Sequence, residues 1–472
     1  MQRQDDSNLS RKVADIHNSH SPESLNDKFY GEDVQGDKSS NCQPAVNSQS
    51  TSLRTVLGIP VTVWQIGFMM CLMNLSFVIA YSFSGLYVKN ILGATALSIG
   101  LLEGACETVS YLMKLCSGVI SDWLKKRKAV MMFGYGFSVI SKITLGLSST
   151  FGLVFTSKIF ERFGNGVQAS PRDAIVADVA PSGHIGASYG LKRSLAHTGS
   201  VLGGFAGILT MKLTGGNFQH VFLIASIPAV IAFIILVFFL KEPKINKSTN
   251  KQNPVNKEQA IPAINAQIAS PNKPEVKFSL KNLKCLGTAF WSIMLVNAVF
   301  MVSRMNEQWL ILNYNESFVH DVYLAPTVMI VMNAGVVLSS YPCGRIGDKI
   351  NRSNLLFAAI VFMLFADLIM YFASTTFAMY CGIVFWGIQL GVSQNVFYSL
   401  IAENVIPALR GTAFGIYWFI NAIAAFFADY ISGAVAHLVN YRSVFLSSGS
   451  AALLTIFILI LLISKGHIKY KS

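Results

Sequence analysis

Gly118-Val-Ile-Ser-Asp122-Trp-Leu-Lys125-Lys126-Arg127-Lys128 and, 226 residues further on, Gly344-Arg-Ile-Gly-Asp348-Lys349-Ile-Asn-Arg352 are two versions of one segment. Each follows a long apolar run and closes it with a glycine, an aspartate and a basic cluster. Other landmarks recur at nearly the same offset: Gly166 with Gly391, Asp178 with Glu403 and Gly186-x-x-x-Gly190 with Gly411-x-x-x-Gly415 at 225, and Pro181 with Pro407 at 226. A single match would mean little. Several in register, spread over different apolar runs, predict a duplicated unit.

What is duplicated is apolar. Of 472 residues, 52% are hydrophobic and 13% charged, about half the ~25% charge of a soluble domain. Val221–Leu240 and Ser443–Ser464 hold no charged residue, and at ~1.5 Å per residue each can cross about 30 Å of hydrocarbon. Hydropathy, punctuated by Gly, Pro and charge clusters, predicts twelve spans: 60–87, 92–121, 128–149, 151–176, 185–211, 218–240, 286–313, 322–346, 353–373, 376–402, 409–436 and 442–464. The expected fold is therefore all-α, twelve transmembrane helices in two pseudo-symmetric six-helix bundles. Residues 1–55, polar and without an apolar run, read as a disordered cytoplasmic tail, 56–241 as the first bundle, 242–284 as a cytoplasmic linker, 285–464 as the second bundle and 465–472 as a second cytoplasmic tail.

The net charge of +13 is read as topology rather than as a nucleic-acid surface. With both ends inside, the loops after the second, sixth, eighth and tenth spans and the C-terminal tail gather twenty Lys and Arg, nine of them lysines between Lys241 and Lys284, while the opposite side receives Lys89, Lys212 and Arg442. That asymmetry places the N- and C-termini in the cytoplasm, in the cell inner membrane. Five of the seven cysteines fall in apolar segments with no CxxC spacing, which argues against a metal site or a disulfide framework. No GxxxxGK[ST] phosphate loop and no HExxH occurs. The expectation is a protein that is not an enzyme, takes no cofactor and carries no catalytic residues or bound metal.

The doubled loop closely resembles the signature loop of the major facilitator superfamily. That resemblance implies a transporter fold and a gate, in which Asp122 and Arg127 latch the cytoplasmic side and Asp348 and Arg352 form the weaker copy, with Gly118 and Gly344 allowing close helix approach. In the fourth span, Glu161-Arg162-Phe-Gly164-Asn165-Gly166 through Pro171-Arg172-Asp173 is similar to the family's arginine followed by a Gly-rich stretch, which implies that Arg162 faces the cavity and takes part in proton coupling. More narrowly, Ile99-Gly-Leu-Leu-Glu103-Gly-Ala-Cys-Glu107, Lys114-Leu-Cys-Ser-Gly118, Pro171-Arg172-Asp173-Ala and Gly190-Leu-Lys192-Arg193 resemble a bacterial branch whose substrates are mostly unassigned. The chain departs from that branch at Asn165 and Gln168, which stand where basic residues are expected, and in a first span without an acid.

The residues themselves supply candidates for a pathway. Glu103, Glu107 and Lys114 are spaced four and seven apart on one helical face. Glu107 could carry a proton or stand in a static ion pair with Lys114, Arg162 or Arg193. Lys158, Arg162 and Asn165, with Arg172 beyond, form a polar stripe, and Lys192 and Arg193 lie inside the fifth span. In the second half Asn297, Arg304, Glu307 and Gln308 mark the seventh span, where spacings of seven and four suggest a wall of the pathway, and Gln394 and Asn395 mark the tenth. Interhelical hydrogen bonding without a ligand is the alternative for these. Asp367 and Asp429 are lone intramembrane acids that the sequence does not orient.

Basic groups at 114, 142, 158, 162, 172, 192, 193 and 304 outnumber the acids near them, so a small anionic solute is expected as substrate, with protons as coupling ion. The expected protein is a monomeric symporter or antiporter that works by alternating access, the Asp122, Asp173 and Asp348 loops resetting with each swing. Efflux of amphipathic drugs and movement of a carboxylate siderophore are alternatives in the same fold. A non-transporting sensor is the alternative from another class, although neither the tail nor the linker offers a soluble output domain.

Overall fold

A computed structural model describes residues 55–56, 59–124, 126–180, 185–240, 286–347, 352–405 and 409–465, leaving aside the side chains at 119, 122, 123, 185–187, 340–347, 394, 395, 398, 399, 402, 403 and 410. The expected linker, Asp348, the N-terminal tail up to residue 54 and the C-terminal tail beyond Lys465 lie outside the described residues, as do the side chains of Asp122, Gln394 and Asn395.

A two-residue antiparallel ladder, β1 (Thr55–Val56) with β2 (Ile59–Pro60), leads into a helical bundle. The first half contains α1 (Val61–Asn90), α2 (Ala96–Leu124), α3 (Arg127–Gly146), α4 (Phe151–Val179), α5 (Ile185–Leu213) and α6 (Phe218–Phe238). The second contains α7 (Gly287–Ser303), α8 (Glu307–Ser317), α9 (Pro326–Gly347), α10 (Arg352–Phe372), α11 (Thr376–Asn404), α12 (Arg410–Leu438) and α13 (Ser443–Ser464), with α7 and α8 the two parts of one broken span. Nine of the described helical segments are long and apolar enough to cross a membrane by composition. α2, α4 and α5 are as long but more polar, since they hold Glu103, Glu107 and Lys114, then Lys158, Glu161 and Arg162, then Lys192 and Arg193.

The twelve expected spans are all present, and the duplication extends to local chemistry. Thr150 caps α4 by accepting from the Leu153 N–H, and Thr375 caps α11 by accepting from the Ala378 N–H, again 225 residues apart (375 − 150). Both satisfy amide groups that a helix start leaves without a partner. The packing repeats too. In the first half α1 packs on α5 and α6, α4 on α2 and α3, and α3 on α6; in the second, the α7 span packs on α12 and α13, α11 on α9 and α10, and α10 on α13. The two halves meet along α2 against α12 and α5 against α9, which are themselves equivalent pairs.

Lipid tails are as apolar as the side chains, so helix association in a membrane depends on close approach and on polar bonds rather than on expulsion of water. Gly100 of α2 and Gly433 of α12 supply that approach: a Cβ on Gly100 would lie 2.5 Å from the Asp429 carbonyl oxygen and 2.8 Å from the Gly433 Cα. Further along the same seam the Thr108 hydroxyl donates to the Ala422 carbonyl at 3.1 Å, and Tyr111 stacks on Trp418 with centroids 5.7 Å apart.

At the end bearing the α1–α2 turn the halves are joined by several further contacts. Lys89 pairs with Glu316 and lies 4.5 Å from the Tyr441 ring centroid. Burial, with Glu316 beside it, pushes the Tyr441 hydroxyl up to about 12, so the ring faces Lys89 uncharged at neutral pH. Gly204 and Gly207 of α5 face Ile330 and Pro326 of α9, and Gly216, at φ +87° in the α5–α6 turn, faces the Tyr323 hydroxyl.

The sequence reading missed the break in the seventh span, where the expected helix ran on through 313. Arg304 ends α7 at φ −89°, ψ 84°, and Asn306 restarts the helix by accepting from the Gln308 N–H at 2.9 Å. A spacing of seven then four across such a break no longer places Asn297, Arg304 and Gln308 on one face, and the wall inferred from it is withdrawn.

Candidate functional site

The charged residues of α2, α3, α4 and α5 sort themselves into pairs. Glu103 of α2 pairs with Lys158 of α4, whose ammonium also lies 3.2 Å from the Ser84 hydroxyl of α1. Four residues on, Glu107 pairs with Arg162 at 2.9 Å. The four-residue spacing on both helices stacks these two ion pairs one turn apart, the first buried and the second partly so. Lys142 of α3 pairs with Glu161 behind them. Lys192 of α5 meets Asp173 at 2.5 Å, and Arg172 comes within 3.7 Å of the same carboxylate. Arg127 pairs with Asp178 at the end of α4, within its own half.

These pairs change the reading of the positive charge. Lys142, Lys158, Arg162 and Lys192, all counted as surplus in the sequence, each have a carboxylate. Glu107 pairs with Arg162, one of the three cations considered for it. Isolated charge in a membrane is costly, and pairing is how the helices carry it.

Lys114 differs. Among the described residues it has no carboxylate within ion-pair distance. Its ammonium instead lies 4.7 Å from the Tyr111 ring centroid and 5.3 Å from that of Trp418, beside the stacked rings where the halves meet. Glu107 is the strongest charge acting on it, with Arg162, Arg304 and Arg172 opposing as like charges. Glu307, the first residue of α8, acts on Arg304, Glu107 and Arg162. Arg304 and Glu307 flank the break in the seventh span.

Aromatic rings and unsatisfied polar atoms border the same region. Arg162 lies 5.4 Å from the Phe77 centroid and 5.6 Å from that of Tyr81, attracted by the negative faces of the rings. Tyr81 donates to the Asn306 side chain. Buried atoms without a hydrogen-bond partner among the described residues include Arg162 Nη2, Glu103 Oε2, Asn306 Nδ2 and both polar atoms of Gln308. An unpaired buried polar atom costs about 1–3 kcal/mol, so such a group of them marks a place where a ligand's polar atoms would be welcome.

Other sequence candidates have local partners. Asn165 accepts from Gln168 at 2.9 Å. Asn297 donates to Asn421 of α12 at 2.6 Å, which is interhelical bonding. Arg193 is partly exposed on α5 and acts on Lys192 and His197. Gly118 faces Ser170 of α4 at 3.8 Å, Gly344 sits in α9, and Arg352 begins α10. Sequence reasoning missed Tyr111, Trp418 and Tyr81. Tyr111, three residues before Lys114 and so on its face, could have been found by helical spacing; nothing in the sequence pointed to Trp418.

The sequence model of the Major Facilitator Superfamily matches residues 66–429. The chain belongs to the major facilitator superfamily. Its members are multi-pass transporters of small solutes, not enzymes. An uncharacterised MFS-type transporter of Methanocaldococcus jannaschii is 29% identical over 355 residues, covering 72% of this chain and 80% of its own. The multidrug resistance protein MdtG of Escherichia fergusonii is 20% identical over 391 residues, covering 81% and 89%. Among solved structures, a POT family transporter in complex with a thioalcohol-conjugated peptide aligns with a TM-score of 0.69 at 15% identity, covering 88% of this chain and 98% of its own. At that identity the likeness is one of fold, and the fold is that of the superfamily.

Proposed function

We propose that this superfamily member is a proton-coupled carrier of a small organic anion, such as a carboxylate, a phosphorylated metabolite or a carboxylate siderophore. It works as a monomer in the cell inner membrane, with both termini cytoplasmic, by alternating access. One observation carries the anion reading: Lys114 sits at the seam between the halves against the Tyr111 and Trp418 rings, with no carboxylate at ion-pair distance among the described residues. Positive potential in a low-dielectric crevice attracts an anion and repels a cation. With the termini in the cytoplasm, the end joined by Lys89–Glu316 and Gly100–Gly433 is extracytoplasmic, and the state described is closed to the outside. The ion pair of Glu107 with Arg162 supports proton coupling, because an anion that draws Arg162 away leaves Glu107 free to take a proton.

The test is transport by purified protein in proteoliposomes under an imposed proton gradient, with carboxylates and phosphorylated solutes offered in turn. Wild type should move an anion, and Lys114→Gln should weaken its apparent affinity about tenfold, the effect of losing a contact of ~1.4 kcal/mol. Movement of cations or neutral solutes alone overturns the anion reading, and a rate indifferent to pH and protonophores overturns the coupling.

The rings flanking these charges favour a second reading, efflux of amphipathic drugs. Tyr111 with Trp418 and Phe77 with Tyr81 are stacked pairs beside Lys114 and Arg162, and one relative carries a multidrug resistance name. Growth of a deletion strain on toxic amphipathic compounds separates the two readings.

A further inference from the structure

The second half holds a buried acid that the pathway described so far does not use. Asp367 of α10 is 1% exposed, has no ion pair among the described residues and leaves Oδ1 without a hydrogen-bond partner. Its Oδ2 lies 2.6 Å from the Ser448 hydroxyl of α13, and the same hydroxyl lies 2.5 Å from the carbonyl oxygen of Ser303, the last residue of α7.

These two distances set a proton count. A serine hydroxyl has one hydrogen, and both neighbours are acceptors when Asp367 is ionised. One of two short O···O contacts would then be lone pair against lone pair, whereas O–H···O bonds occupy this distance range only with a proton in each. With a proton on Asp367 the chain closes: Asp367 donates to Ser448, and Ser448 donates to Ser303. We infer that Asp367 is a proton-binding site of the second half, linked through Ser448 to the break in the seventh span.

Among the described residues no other charge explains the geometry. α13 contributes Ser448 and Gly449 and contains no ionisable residue, nor does α7. On α11 the near neighbour is Gly382, packed on Ala366 and Met370; beside it stand Cys381 and Tyr380, and the Tyr380 hydroxyl is engaged by Tyr314 and Thr327. The remaining ionisable residues of α11, Tyr398 and Glu403, have side chains outside the described residues. A groove of about 290 Å³ opens beside Ser448, lined by Val302, Ala428, Ile431, Ala451 and Leu454 as well as by Ser432, Ser447 and Ser450.

The consequence falls on the break. Ser303 O also accepts from the Met305 N–H at 3.2 Å, and just beyond it Asn306 and Gln308 meet Tyr81 and Gly85 of α1. A second acid, Asp429 of α12, holds the far side by accepting from the Asn306 N–H at 3.0 Å and the Trp309 indole at 3.3 Å. When Asp367 loses its proton, Ser448 must turn its hydrogen to the carboxylate and leave Ser303. The protonated form therefore favours the end closed by α1 and α8, and the ionised form favours its opening.

This inference rests on the alternating-access part of the proposed function but needs no solute for its test. Infrared spectra of the purified protein at neutral pH should contain a protonated-carboxyl carbonyl band that is lost in Asp367→Asn and shifted in Asp367→Glu; spectra unchanged by both substitutions overturn the site. Nitroxides at Leu213 and Leu438, exposed on α5 and α12 at the closed end, should move apart as pH rises. Ser448→Ala should keep the infrared band and abolish that pH response. A pH response unaltered in Ser448→Ala overturns the relay. Failure to transport any anion leaves both readouts intact, so the two readings fail separately.

Discussion

Replacing Gly100 by Ala should push the protein out of the state described here. A Cβ at this position would lie 2.5 Å from the Asp429 carbonyl oxygen and 2.8 Å from the Gly433 Cα, against 3.4 Å for ordinary contact. α2 and α12 must then part by about 1 Å, since backbone atoms, unlike a side-chain tip, have no other rotamer to adopt. Overpacking of this kind costs about 1–3 kcal/mol. The cost is confined to the state in which the seam is closed, so it appears as a shift in population of about 5- to 150-fold towards the open state. The assay is the distance distribution between nitroxides at Leu213 and Leu438 in a background free of the seven native cysteines. Gly152→Ala is the control, because nothing lies within 4 Å of a Cβ there. A Gly100→Ala distribution that matches the Gly152→Ala one would refute the argument that this seam closes the bundle.

Two further outcomes follow from the ion pairs. Arg162→Ala should abolish or uncouple transport in proteoliposomes while the protein still inserts, and near-normal uptake would remove Arg162 from the pathway. Lys142→Met should lower thermal stability in detergent by about 3–5 kcal/mol, because it strands Glu161 as a buried unpaired carboxylate. Lys142→Met combined with Glu161→Leu should recover most of that loss, and a double variant no more stable than the single one would show that the pair is not what matters.

Much of the architecture is legible in the residues alone, because membrane insertion is a constraint on composition. Twelve apolar runs of sufficient length have few alternatives to becoming helices, and Asp122 with Asp348 or Gly166 with Gly391 show the duplication without any coordinates. The candidate site is less legible. Glu107, Lys114 and Arg162 could be singled out because intramembrane charge is rare. Which cation met which acid could not: Glu107 had three candidate partners in the sequence, and only the crossing of α2 and α4 selects Arg162. The count of basic groups overstated the surplus for the same reason, since Lys158 and Lys192 are neutralised by acids 55 and 19 residues away.

Periodicity by itself determined that the chain folds as repeated membrane-spanning helices and which of their residues are costly to bury. Tertiary structure decided how those costs are met, and where the seventh span gives way. The break at Arg304 is held by Asp429, more than a hundred positions later, and by Tyr81 from the other half. A helix is maintained by bonds four residues apart, and its interruption here is stabilised by bonds that span the whole chain, which no local reading of the sequence contains.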